Sequence, residues 1–260
     1  TTTTSLTASL LAEAGLDPTF LIGGKLNSFS SNARLGKSAY LVAEADESDG
    51  SFLMLNPMIA VVTNIDSDHL ENYQGSFANV KQAFLEFIHK LPFYGLAVLC
   101  IDDENIQEMI EQVSRPFVTY GFSELADVRV VDYQQTGTSS HFKIKHNDEV
   151  TEINLSLPGK HNALNTTAAY LIAKALDADL TKALGALKTF QGVGRRFQNM
   201  GELSVEGNTF TLIDDYAHHP VEVAVTLQAA KAAWPTRRIV AVFQPHRYSR
   251  TAELLDDFGR

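Results

Sequence analysis

The sequence lacks the features that mark secreted, membrane-spanning and nucleic-acid-binding proteins. Its 260 residues include one cysteine, Cys100, so no disulfide can form within the chain, and a reducing cytoplasmic setting is expected. No apolar run approaches the roughly 20 residues of a membrane span, so no membrane partner is expected. The net charge of −10 argues against a nucleic-acid partner, because binding to a phosphate backbone needs a basic face.

The pattern of apolar residues indicates an α/β protein. Between residues 20 and 120, short apolar runs alternate with amphipathic stretches, which predicts a mainly parallel sheet of the kind found in phosphate-loop ATPases. Gly23-Gly24 is expected to form a turn, and residues 27–36 a polar loop. Residues 128–157 contain three short alternating runs with turn-forming residues between them, which predicts an antiparallel meander at the edge of the sheet.

A second domain is predicted after a glycine-containing segment. Residues 191–197 carry two glycines and no periodicity, so this segment is interpreted as a linker, with the boundary between residues 190 and 191. Beyond it, a strand at 209–213, a helix at 221–234 and a strand at 238–243 predict the start of a Rossmann-like domain. A doubly wound domain needs more strands than these, so this domain is expected to be incomplete.

Two apolar runs between Tyr40 and His69 each end in a cluster of hard ligands. Residues 41–43 lead into an acidic segment that begins at Glu44, and residues 58–62 lead into a polar segment that ends at His69. Ligands of a parallel sheet collect beyond the carboxyl ends of its strands, so we expect Glu44 and His69 to reach one crevice. Carboxylates with one imidazole and no thiolate favour Mg²⁺ or Mn²⁺ over zinc. Alternatively, these acids are solvated loop residues.

The chain opens on four threonines that run directly into an apolar helical pattern. A phosphate-binding loop of the form G-x-x-x-x-G-K-[ST] enters a helix in the same way. We therefore expect the chain to begin just inside such a loop, with Thr1 offering its hydroxyl to Mg²⁺ and Thr2 beside the nucleotide. The alternative is that these threonines only cap the helix.

Further polar clusters follow glycines or predicted strand ends. Asn162 and Asn165 are candidates to read an adenine edge or, alternatively, to cap a helix. Arg195 and Arg196 are candidates to clamp a phosphate, unless they are solvated linker residues. The remaining candidates lie in the second domain. The cationic group His246, Arg247 and Arg250 suits a carboxylate. A second group suits an amine or a sugar phosphate, and its members are Asp215, Tyr216, His218 and His219. Binding of zinc by the two adjacent histidines is a less favoured alternative.

Together these groups describe phosphoryl transfer by positioning and charge neutralisation. Hydroxyl, carboxylate and imidazole around Mg²⁺, with arginines from a second domain, suit activation of a carboxylate by ATP. A carboxylate-binding patch and an amine-binding patch opposite them suit attack on the resulting acyl phosphate. The sequence therefore predicts an ATP-dependent amide ligase, in which Glu44, His69, Asp215 and His218 are the candidate catalytic residues.

Six segments in this order closely resemble the Mur ligase family. They are EADESD (44–49), TNI with DH (63–65 and 68–69), GKHNALN (159–165), GRRF (194–197), DDY with HHP (214–216 and 218–220) and FQPHRYSR (243–250). The resemblance implies a three-domain enzyme of which this chain holds the central ATP-binding domain, residues 1–190, and the start of the amino-acid-binding domain, residues 191–260. The family's sugar-binding domain and phosphate-loop lysine are absent from this sequence, so the chain alone is expected to be inactive.

The same resemblance implies roles for individual residues. Thr1 and Glu44 would bind one Mg²⁺ and His69 a second, while Asn162 and Asn165 would contact the adenine of ATP. At the amino-acid and substrate side of the cleft, the resemblance places His246, Arg247, Arg250, Tyr216 and His218. Several family members carry a carbamylated lysine, but Phe84 rather than Lys81 lies nearer that place, so none is assigned.

The implied reaction joins L-alanine to UDP-N-acetylmuramate. ATP converts the muramate carboxylate to an acyl phosphate, and the alanine amine displaces phosphate. One alternative is the family member that recycles a murein tripeptide onto the same nucleotide sugar. Another is a non-catalytic remnant that binds only a nucleotide. The sequence leaves open the oligomeric state and the residue that selects alanine over glycine or serine.

Overall fold

The computed structural model describes residues 1–259, which form helices on two sheets and a separate hairpin. The helices are α1 (Thr2–Glu13), α2 (Phe77–His89), α3 (Glu104–Met109), α4 (Lys160–Ala175), α5 (Leu180–Leu187), α6 (Pro220–Ala233), α7 (Tyr248–Glu253) and α8 (Leu255–Phe258). The strands are β1 (Thr19–Leu26), β2 (Ser31–Arg34), β3 (Leu41–Ala43), β4 (Ile59–Val62), β5 (Leu96–Cys100), β6 (Phe117–Gly121), β7 (Val128–Thr136), β8 (Ser139–His146), β9 (Glu149–Leu155), β10 (Gln198–Val205) and β11 (Asn208–Asp214). Within residues 1–259, no helix is both long and apolar enough to cross a membrane.

The larger sheet has six strands in the order β4-β5-β6-β7-β8-β9. Strands β4 to β7 are parallel to their neighbours, whereas β7, β8 and β9 form an antiparallel meander. β5 is buried from Ala97 to Cys100, as expected for a strand covered on both faces. The predicted parallel sheet with an antiparallel edge is therefore confirmed.

The smaller sheet, with the order β2-β1-β3, corrects three expectations. β3 pairs with β1 and β4 with β5, so the two runs between Tyr40 and His69 belong to different sheets. Gly23 and Gly24 continue β1 instead of forming a turn, and part of the expected loop is β2. Close packing explains the second glycine, because a Cβ on Gly24 would lie 2.8 Å from Val193 Cγ1 and 2.9 Å from Thr1 Cγ2.

Helix α1 is buried on almost every side and carries Thr1 to the centre of the molecule. Leu6, Leu10 and Leu11 are at most 1% exposed, and the small polar residues between them are buried as well. The helix packs against α4 and α5, and it joins a hydrophobic core that runs from Leu6 to Val193. This packing fixes the start of α1 beside the carboxyl end of β3.

The second region, residues 194–259, contains the antiparallel hairpin β10-β11 and the helices α6 to α8. The strand expected at 238–243 is absent, because within residues 1–259 this segment pairs with no other strand, and its Val242 is 96% exposed. The expected linker at 191–197 is not free. Gly194 N–H donates to the Lys25 carbonyl (2.9 Å), and Asn27 N–H donates to the Gly192 carbonyl (3.3 Å).

Candidate active site

A cleft of about 1450 Å³ runs between the edge strands β3 and β4. The starts of α1 and α4 line one part of it, and the second region lines another. Every site residue expected from the sequence contributes to its wall except Arg195. Glu44 and His69 therefore reach one crevice as predicted, although their strands lie in two sheets.

Thr1 and Glu44 form the most closely bonded pair in the cleft. The Thr1 hydroxyl donates to Glu44 Oε1 (2.6 Å), and Gly23 N–H donates to Oε2 (2.7 Å). Both oxygens of the Glu44 carboxyl are therefore held in place by hydrogen bonds. Thr2 begins α1 and lines the same wall.

The donors at this end of the cleft fit Mg²⁺. A hydroxyl and a carboxylate 2.6 Å apart supply hard oxygen ligands. Within residues 1–259, no group of three His, Cys, Asp or Glu side chains is arranged to hold a metal ion. Such an arrangement is compatible with Mg²⁺, which takes one or two protein ligands and fills its shell with water and phosphate oxygens.

His69 lies across the cleft in a left-handed backbone conformation, with φ 57°. Its Nδ1 accepts a hydrogen bond from Arg247 Nη1 (2.9 Å), and its Nε2 lies 3.4 Å from Asp68 Oδ2. Since an arginine can only donate, Nδ1 is the acceptor in the bond with Arg247. Binding of a cation by His69 therefore requires one of these two neighbours to move.

Arg250 is buried against Asp68 rather than open to the cleft. The arginine is 3% exposed, and its Nη2 and Nε lie 2.6 and 3.1 Å from Asp68 Oδ2. Its Nη1 donates to the His246 carbonyl (3.3 Å). Burial raises the pKa of Asp68, but Arg250 and His69 outweigh it and leave the pKa below its ordinary value. The Asp68 carboxylate is therefore bound to Arg250, the arginine that was expected to bind a substrate carboxylate.

The two asparagines at the start of α4 are bonded within the protein. Asn162 is 4% exposed, and its amide donates to the Pro158 carbonyl (2.7 Å). Asn165 donates to Asn162 Oδ1 (3.3 Å) and accepts from the Thr3 hydroxyl (2.9 Å). Helix α4 begins after Gly159 without a side-chain cap, so the capping alternative is not borne out for Asn162. Half-buried Asn165 lies nearer the open cleft.

Arg195 and Arg196 point in different directions. Arg195, with φ 57°, stacks over the Tyr216 ring at 4.7 Å and lies 3.8 Å from Asp214, which takes it out of the cleft. Arg196 reaches into the cleft, where its Nη2 is 3.5 Å from the Thr1 hydroxyl and its Nη1 is 3.3 Å from Glu222 Oε1. Arg196 alone is therefore placed to meet a phosphate at Thr1.

Asp215 shapes the wall of the cleft through the backbone. Its two oxygens accept from the N–H groups of Phe197 (2.6 Å) and Ala217 (2.7 Å). Burial raises the pKa of this carboxyl above its ordinary value in spite of those two hydrogen bonds. Each oxygen of Asp215 thus holds one backbone N–H of the cleft wall.

The rings of the second region gather at the opposite side. The His218 ring lies 5.0 Å from Tyr216 and 6.3 Å from the exposed His246. His218 Nδ1 is bonded to the Tyr216 carbonyl (2.8 Å), and His219 caps α6 through its Nδ1. The structure therefore brings Tyr216, His218 and His246 together, as the sequence predicted.

Two Mur ligase domains match the chain by sequence. The Mur ligase middle domain matches residues 1–173, and the glutamate ligase domain of Mur ligases matches residues 195–260. The chain belongs to the Mur ligase family. This finding confirms the family resemblance carried by the six segments, and the fold agrees with it.

Several Mur ligases are similar to this chain over nearly its whole length. The UDP-N-acetylmuramate–L-alanine ligase of Hydrogenovibrio crunogenus is 57% identical over 99% of this chain and 56% of that protein. A solved UDP-N-acetylmuramate–alanine ligase from Thermotoga maritima is 31% identical with a TM-score of 0.81, covering 98% of this chain and 56% of that one. A murein peptide ligase from Psychrobacter arcticus is 25% identical with a TM-score of 0.71, covering 95% and 55%. The chain spans about half the length of the curated relatives it matches.

Sequence reasoning missed two carboxylates of this Mur ligase cleft. Asp68 was quoted only as the neighbour of His69, yet it holds Arg250. Glu222 was not singled out, although it lies three residues after a helix-capping residue, the position of the acid in a capping box. A histidine at the cap, where Ser, Thr, Asp or Asn is usual, concealed that signal.

Proposed function

We propose that this chain is the ATP-binding and amino-acid-binding part of a ligase that joins L-alanine to UDP-N-acetylmuramate. One observation carries the proposal: a single cleft collects the Thr1–Glu44 pair with Arg196 on one side and the Tyr216, His218 and His246 rings on the other. The high identity to ligases with that activity supports it. The division into residues 1–190 and 191–260 is likewise proposed, and the two domain matches, which end at 173 and begin at 195, support it.

ATP and Mg²⁺ are the proposed co-substrate and cofactor. Thr1 and Glu44 would hold one Mg²⁺ and His69, after rearrangement, a second, and the metal charge would be supplied to the transferring phosphate. Thr1 and Thr2 would approach the phosphates from the start of α1, where N–H groups favour anions. Asn165, with Asn162 behind it, would face the adenine. Asp215 would position this wall.

The side chains of the second region would contact the acyl phosphate and the L-alanine that attacks it. Arg196 would meet the phosphate next to Thr1, while Arg195 would contribute only by stacking on Tyr216. His218 and Tyr216 would border the acyl phosphate, and a neutral imidazole there can accept the proton of the attacking amine. His246, Arg247 and Arg250 would face the alanine carboxylate, which requires that Arg250 exchange Asp68 for the substrate.

The recycling of a murein tripeptide is the second candidate. It shares the fold and the nucleotide sugar, and a murein peptide ligase matches the chain structurally at lower identity. The higher identity to alanine-adding enzymes favours alanine.

The test measures phosphate release by the protein expressed from its complete gene. ATP, Mg²⁺ and UDP-N-acetylmuramate are supplied with L-alanine, L-serine, glycine or the tripeptide in turn. We expect release that needs both the nucleotide sugar and L-alanine. Release only with the tripeptide would move the protein to the recycling reaction. Nucleotide binding without release in any mixture would favour the non-catalytic alternative.

A further inference from the structure

Glu222 is an acid on which groups from two parts of the cleft converge. It occupies the third position of α6, and its side chain is 36% exposed. Its Oε1 lies 3.3 Å from Arg196 Nη1, and its Oε2 accepts from the N–H groups of His218 (3.0 Å) and His219 (3.3 Å). The His218 ring is a further neighbour, with Nδ1 at 3.4 Å from Oε2. One oxygen of Glu222 therefore contacts an arginine, and the other binds the start of a helix.

Arg196 depends on this carboxylate for its direction. Within residues 1–259 the guanidinium forms one ion pair, with Glu222. Its weaker neighbours are the Thr1 hydroxyl at 3.5 Å, the Tyr216 ring at 5.8 Å and the Asp215 carboxyl, whose pKa it lowers. Its backbone lies beside the segment that leads into α6, because Tyr216 N–H donates to the Arg195 carbonyl (2.8 Å) and Phe197 N–H donates to Asp215 Oδ2 (2.6 Å). An arginine side chain has many rotamers, and a carboxylate with fixed position selects among them.

The fixed position of Glu222 comes from the helix itself. The capping box locks its Oε2 to the backbone at His218 and His219, which leaves Oε1 facing Arg196. We propose that Glu222 is a positioning residue that holds the Arg196 guanidinium beside Thr1, ready for the phosphates of ATP. The proposal rests on the proposed function, because it assigns Arg196 a phosphate to meet. It also ties the orientation of that arginine to the placement of α6 in the second region.

The experiment is a double-mutant cycle on the protein expressed from its complete gene. The variants are Glu222→Gln, Arg196→Gln and the two combined, with Glu222→Asp as the conservative variant. Glutamine keeps an oxygen for the helix-start N–H groups but loses the charge that attracts Arg196. The readouts are kcat and KM for ATP in phosphate release, the Kd of a fluorescent ATP analogue, and the thermal unfolding midpoint.

We expect Glu222→Gln to lower kcat/KM for ATP about 10-fold and to leave the KM of L-alanine unchanged, since orientation of a catalytic group contributes mainly to the phosphate step. The combined variant should lose no more than Arg196→Gln alone, and Glu222→Asp should recover part of the activity. The matched control is Glu149→Gln, which removes an exposed ion pair with Lys174 and should leave the kinetics unchanged.

Additive losses in the combined variant would overturn the proposal, because Glu222 would then act without Arg196. Unchanged kinetics in Glu222→Gln with a normal unfolding midpoint would overturn it as well. If Glu222→Gln fails to fold, Glu222→Asp with Arg196→Gln completes the same cycle. Failure of the proposed function is a separate result, in which the wild type releases no phosphate. The cycle is then measured through the Kd of the ATP analogue. Non-additive losses of affinity would support the positioning role, and additive losses would refute it.

Discussion

The two regions of the molecule are held together by different forces. In the first, a continuous apolar core runs from Leu6 to Val193 and covers both faces of the parallel strands. In the second, the hairpin β10-β11 leaves its apolar side chains open, with Leu203 and Phe210 both 41% exposed. Burial of apolar surface therefore stabilises the first region far more than the second.

The second region meets the first largely through polar groups. Arg250 binds Asp68, Arg247 binds His69, and Gln135 on β7 donates to the Ala229 carbonyl in α6 (3.0 Å). Interfaces of this kind depend on charge and allow domains to move relative to one another. The apolar core therefore fixes the positions of the strands and helices that form the cleft, while charged contacts fix the position of the second region against them.

The largest expected effect tests the core. Phe142 on β8 is fully buried, whereas Phe210 on β11 is 41% exposed. We expect Phe142→Ala to lower the free energy of unfolding by about 3–5 kcal/mol, because it leaves a cavity, and Phe210→Ala by less than about 1 kcal/mol. Chemical denaturation followed by circular dichroism measures both. Equal losses would break the comparison.

The next effect tests the cleft wall that the first region builds. We expect Glu44→Ala to lower Mg²⁺-dependent turnover about 10²–10³-fold, since it removes the proposed metal ligand, which the Thr1 hydroxyl and the Gly23 N–H hold in place. Phosphate release across a range of Mg²⁺ concentrations measures it. Glu108→Ala, which loses an exposed pair with Lys81, is the matched control. Wild-type turnover in Glu44→Ala would remove this residue from the metal site.

The third effect concerns the pH dependence of stability and the half-buried His161 in the first region. Burial lowers the pKa of His161 from 6.5 to about 4. The unfolded chain therefore takes up a proton below pH 6.5 that the folded protein refuses, so stability is complete above that pH and falls as the pH drops toward about 4. The loss is at most about 3 kcal/mol.

The check is the free energy of unfolding of wild type and His161→Gln at several pH values between 7 and 4. The substitution should flatten the slope in this window. His141→Gln, on the open meander, should leave the slope in place. A slope that survives in His161→Gln would assign the pH dependence to other groups.

The smallest expected effect tests the polar attachment of the second region. Arg250→Ala should raise the KM of L-alanine about 10-fold, roughly 1.4 kcal/mol, and leave ATP-analogue binding unchanged. It should also speed chymotrypsin cleavage at exposed Phe243, because the segment before α7 loses its anchor to Asp68. High salt should mimic the cleavage change in wild type. An unchanged alanine KM would show that Arg250 serves only as that anchor.

Local patterns in the sequence were enough to find most elements, but not how distant elements pair. The apolar runs of β3 to β6 and the alternating runs of β7 to β9 are confirmed as strands. Their burial differs, since β5 is buried from Ala97 to Cys100 whereas Leu41 on the edge strand β3 is 60% exposed. The expected strand at 238–243 was wrong, since apolar composition cannot supply a hydrogen-bonding partner. Gly23-Gly24 was read as a turn because a sequence does not show which side chains will approach a glycine closely.

The sequence by itself determined the family, the α/β class and most of the candidate residues that line the cleft, since these depend on residue type and local order. Only the tertiary structure decided that β3 and β4 lie in separate sheets, that Arg195 turns away while Arg196 turns in, and that Asp68 holds Arg250. Each of those outcomes depends on a partner far away in the chain, as with Asp68 and Arg250, whose ion pair spans 182 positions. The physical reason is that charge pairing and strand pairing are satisfied in space, and no local pattern records which distant group will satisfy them.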